Sequence, residues 1–146
     1  MMEALLRIQH LYTEYLTQVY QLEQNRGMGD GLLGMGKGPA DDPCHDRFAE
    51  LLEAELQAFS AHIPSPEEVR SVLEYIYRIP LEHRKLRTAY WMLLAVHGLT
   101  LSLIDQLSSS AAEELWLWYG KEYPRWDRLP VQKRVLSALN RVRKTK

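Results

Sequence analysis

The chain has 146 residues, 19 acidic and 18 basic, for a formal net charge of −1. It is long enough to bury a core, and it has no overall charge bias that would draw it to nucleic acid or an anionic membrane. A composition of 46% hydrophobic and 25% charged residues excludes a disordered polymer, and a single cysteine, Cys44, excludes an internal disulfide and favours a reducing compartment.

The opening stretch lacks the basic and apolar regions of a secretory signal. Its first periodic segment places Leu5, Ile8, Tyr12, Tyr15, Val19 and Leu22 at alternating steps of three and four, one face of a helix. Gly27 is the expected stop.

A glycine-rich stretch follows, about 27–42. Gly29-Asp30-Gly31-Leu32-Leu33-Gly34 spells GxGxxG, and Gly31, Gly36 and Lys37 spell GxxxxGK, but Gly38 stands where the magnesium-binding Ser or Thr belongs. Both motifs need a strand feeding the loop and a helix starting at once; a helix precedes this one, so a nucleotide is not expected. Met28, Leu32, Leu33 and Met35 set the stretch apart from a polar flexible linker. The expectation is an ordered loop covering the bundle.

Asp42 then caps a second helix with Pro43 in the first position. Its apolar stripe is Phe48, Leu51, Leu52, Leu56 and Phe59, its outer face carries Asp46, Glu50 and Glu53, and Ile63-Pro64 ends it. Asp42, His45 and Asp46 offer metal-ligand chemistry, since Asp42 stands three and four residues before the other two. The capping role of Asp42 and an inward-facing, inert Cys44 are the preferred explanation; no cofactor is expected.

Ser65-Pro66-Glu67-Glu68 is a capping box opening a third helix. Val69, Val72, Leu73, Ile76 and Ile79 carry it to Pro80, the expected stop or kink. From Pro80 the chain is expected to restart as the longest helix, through Leu107, with Gly98 compensated by close approach of a neighbour. Arg78, His83, Arg84, Lys85 and Arg87 gather at its start. They are a candidate anion site, weighed against a solvated basic surface. The least polar window, Ala89 to Ile104, is shorter than the ~20 residues a membrane span needs. His97, in the stripe Tyr90, Leu94, His97, Leu101 and Ile104, reads as a hydrogen-bonded core residue ahead of a catalytic one.

Ser110 and Glu113 are spaced as another capping box, opening a short helix that Pro124 ends. Trp116, Trp118, Tyr119, Tyr123 and Trp126 crowd that region, and one short helix cannot turn every ring inward. They are the candidate contact surface. Pro130 starts the last helix, with Val131, Val135, Leu139 and Val142 on one face and a basic tail at about 141–146.

The expected fold is therefore an all-α bundle of about six helices in one domain, 1–146. The expected function is that of a small soluble, cytoplasmic protein-interaction or adaptor module, not a recognisable enzyme and without a membrane span. It would bind a protein partner or itself. The alternative is a nucleic-acid-binding or regulatory protein using the basic last helix. A third is a metal- or thiol-dependent site around Asp42, Cys44, His45 and His97.

Overall fold

The computed structural model describes residues 3–29, 43–83, 96–123 and 129–145. Among these there are six α-helices and no strand: α1 (Glu3–Gly29), α2 (Pro43–Ala61), α3 (Pro66–Glu82), α4 (Leu101–Ile104), α5 (Ser109–Glu122) and α6 (Pro130–Arg143). A 3-10 turn, His97–Thr100, leads into α4. The fold is the all-α bundle that the periodicity implies. The covering loop, the Asp42 cap, Arg84, Lys85, Arg87 and Trp126 lie outside the described residues.

α1 and α2 pack antiparallel, since Arg7 pairs with Glu55 and Tyr15 with His45. Ile8, Tyr12, Tyr15, Leu16 and Val19 meet Phe48, Leu52, Leu56 and Phe59 in one core with α3, α5 and α6. Full burial of a single leucine contributes roughly 1.5–3 kcal/mol. Leu51 is 40% exposed, so it stands outside the buried stripe of α2. α1 runs past Gly27 to Gly29, two residues beyond the expected stop.

The Ser65 capping box forms as the sequence implies: its hydroxyl accepts from the Glu68 N–H at 3.2 Å and the Glu68 carboxylate accepts from the Ser65 N–H at 3.1 Å. Those bonds hold the Glu68 carboxyl below its usual range. α3 then continues through Pro80 instead of stopping there. The proline falls in the last turn, so its missing N–H costs one backbone bond, and its ring is buried. The His83 N–H closes the helix on the Pro80 carbonyl at 3.3 Å.

Residues 84–95 of the helix expected from Pro80 to Leu107 lie outside the described residues; at its ends, Pro80 belongs to α3, and His97–Thr100 is a 3-10 turn before α4. Gly98 lies in the 3-10 turn, and a Cβ there would stand 3.6 Å from Val131 Cγ2, an ordinary contact and no tight helix crossing. α5 is capped two residues earlier than expected, by Ser108, whose hydroxyl accepts from the Ala111 N–H at 3.2 Å. Gln132, 1% exposed, turns back to accept from the Leu129 N–H at 2.7 Å and so closes the start of α6. Ile63, between α2 and α3, holds φ 51° while 87% exposed, a conformation that a β-branched residue adopts only at a cost.

Candidate functional site

Two histidines, His45 and His97, are built into the bundle. His97 is fully buried between α3 and α5. Its Nδ1 lies 2.8 Å from the Tyr119 hydroxyl, and its ring packs against those of Tyr77 and Tyr123 at 4.9 and 5.9 Å. The Thr100 hydroxyl donates to the His97 carbonyl at 2.6 Å. With that proton committed, the Tyr77 hydroxyl, 2.7 Å away, must donate to Thr100. The Tyr123 hydroxyl donates in turn to the Tyr77 carbonyl at 2.7 Å. The network ties α3, the 3-10 turn and the end of α5 together.

Burial lowers the His97 pKa from the usual 6.5 to about 3, so the imidazole is neutral at physiological pH. Its Nε2 has no hydrogen-bond partner among the described residues. A neutral ring sealed from water is a core residue before it is a base or a ligand.

His45 is 2% exposed, its Nδ1 2.5 Å from the Tyr15 hydroxyl, and Tyr15 stacks on Phe48 at 4.2 Å. Asp46, one residue on and ~100° round the helix, faces solvent. The two therefore point apart. Among the described residues no group of three His, Cys, Asp or Glu side chains is arranged to hold a metal ion.

Of the basic set, Arg78 bonds Glu74 at 2.6 Å and lies over the Trp118 ring at 5.6 Å, while His83 lies 3.1 Å from the Tyr20 hydroxyl. Both stand at the C-terminal end of α3, where the helix dipole favours cations.

The aromatic set divides. Tyr119 and Tyr123, 0% and 6% exposed, belong to the core, so they leave the candidate contact surface. The hydrogen-bonding hydroxyls that let them sit there are invisible in a count of aromatic residues. Trp116 and Trp118 are half-buried at its edge. The Arg143 guanidinium covers Trp116 at 3.8 Å, and Leu117 between the two tryptophans is 59% exposed. In α6, Arg141 and Arg143 are taken up by Asp105 and Glu113, whereas Lys133 and Arg134, with Lys144 just beyond the helix, face solvent.

A feature without a sequence signal is a cleft of about 560 Å³ between α2 and the His97–Ile104 segment, with Leu56, Leu99 and Leu101 in its lining. It arises from how two elements distant in sequence are spaced, which no local pattern encodes. No protein-family model, curated protein or solved structure matches the chain. Among the described residues no helix is long and apolar enough to cross a membrane.

Proposed function

We propose that this chain is a helical protein-interaction module and that the outer face of α5 is its contact surface. The observation that carries this reading is Leu117 at the crest of α5, with Trp116 and Trp118 about 100° to either side of it. Leu117 projects into solvent at 59% exposure, between two half-buried indoles. Each ring carries a guanidinium over its face, Trp116 that of Arg143 and Trp118 that of Arg78. Rigid tryptophan and arginine side chains bordering an exposed leucine lose little freedom when a partner covers them, and such groups dominate binding energy at interfaces. The partner is a second protein or a second copy of this chain.

The test is sedimentation of the wild type at rising concentration, beside affinity capture from the source cell, each repeated with Leu117→Asp. Because Leu117 is exposed, its replacement leaves the helical circular dichroism spectrum unchanged. Self-association, or a captured protein, that disappears with Leu117→Asp is the expected result. A monomer that captures nothing dependent on Leu117 ends the proposal.

A further inference from the structure

The cleft beside α2 lies apart from the surface on α5. Its lining is mixed: Leu56, Leu99 and Leu101 share it with Gln57, Ser60 and Ser102, and the Ser60 hydroxyl accepts from the Gln106 side chain at 2.7 Å. Its volume, about 560 Å³, lies in the range of pockets that hold ligands. Glu53 stands at its mouth.

The α2 face lining the cleft continues beyond it. Asp46, Glu50, Glu53, Gln57 and Ser60 fall within roughly 100° of helical arc, a strip that runs about 22 Å from Asp46 to Ala61. Asp46, Glu50 and Glu53 are exposed, and none of them forms an ion pair with another described residue. The carboxylates of Glu55, Glu74, Asp105, Glu113 and Glu114 are by contrast all matched to arginines. Arg47, the nearest cation in α2, projects ~100° away from Asp46.

We propose that this groove docks a basic amphipathic helix of another protein. The apolar face of that helix would enter the cleft over Leu99 and Leu101, and its lysines or arginines would lie along Asp46, Glu50 and Glu53. A helix set in a groove uses this division of labour, with apolar anchors supplying affinity and charges supplying orientation and encounter rate. A small molecule would fill the cleft and leave the acidic strip unused; the strip's length is that of about four helical turns. The groove lies on α2 and α4, apart from α5, so the two contact proposals stand or fall separately.

The probe is a fluorescein-labelled peptide of about 15 residues, enough to follow the strip. It is made of leucine and lysine, with the leucines at i, i+3, i+4 and i+7. Controls are a scrambled peptide of the same composition and a peptide with glutamate in place of lysine. Fluorescence anisotropy with the full chain should show the ordered leucine–lysine peptide binding at least about tenfold more tightly than the scrambled one, and the glutamate peptide not binding. Added salt and the pair Glu50→Lys with Glu53→Lys should each weaken the complex. Ser102→Trp, at an exposed position of the cleft rim, should abolish it without changing the circular dichroism spectrum. Equal binding of ordered and scrambled peptides overturns the proposal, as does a complex indifferent to Ser102→Trp. A wild-type dimer that Ser102→Trp dissociates also overturns it, by placing a second copy in the groove.

Discussion

His97 exchanges water for one hydrogen bond, from its Nδ1 position to Tyr119, and is fully buried. That exchange holds only while the ring is neutral. Between about pH 6.5, where the unfolded chain takes up a proton, and about pH 3, where the folded one does, the unfolded state binds one proton more. Stability is therefore complete above 6.5 and declines as pH falls, at up to about 1.4 kcal/mol per pH unit from this group. Urea midpoints measured from pH 7.5 down to pH 5, above the carboxylate range, should show that slope in the wild type and lose most of it in His97→Asn. Asparagine keeps a polar atom near the Nδ1 position without the titration. A parallel slope in both proteins would place the effect on another group. The periodicity put His97 on an apolar face and so marked it as a core residue. It did not show that His45 is buried, because stepping back from Phe48 by four reaches Cys44 and by three reaches His45. Both offsets lie on one helical face, and it is the contact with Tyr15 that shows His45 inside.

Helix starts were the most legible part of the chain. Ser65, Pro66 and Glu68 specify their cap through local hydrogen bonds, and Pro130 marks the first residue of α6. Helix ends were less legible, since α1 continues past Gly27, and α3 continues past the buried Pro80. The three consecutive serines at the start of α5 show the limit of spacing arguments. Ser110 and Glu113 have the offset of a box, but Ser108 holds the extended backbone of an N-cap, φ −71° and ψ 159°, and receives the Ala111 N–H. Ser108→Ala should consequently cost about 1 kcal/mol, while Ser110→Ala, at an exposed first-turn position, should shift the denaturation midpoint little. The reverse order in a thermal or urea comparison would return the cap to Ser110. No motif announced the segment from His97 to Ile104 as a turn and short helix. Its conformation follows from the contacts of Thr100 with Tyr77 and of His97 with Tyr119, which join residues 22 or 23 positions apart.

At the scale of the molecule, the bundle class was readable because nearly every apolar stripe has the helical period, and these stripes do converge on one core. The pairing of helices, and with it the cleft beside α2, was not readable, since it depends on contacts between distant segments. The tyrosines of that core have a consequence at the other end of the pH scale. Tyr12 and Tyr77 are 1% and 0% exposed, and burial pushes both phenols well above the usual 10. Below pH 10 they are neutral whether the chain is folded or not. Above it, only the unfolded chain can release those protons, so stability falls as alkalinity rises. A spectrophotometric titration of the eight tyrosines should give phenolate absorbance in two stages. The first belongs to rings in contact with water and reverses freely. The second coincides with the collapse of helical circular dichroism and shows hysteresis on back-titration. A single reversible stage at constant helicity would mean that water reaches the interior rings. In the expected case, strong base deprotonates Tyr12 and Tyr77 by opening the bundle, and the loss of the fold is itself the ionisation event.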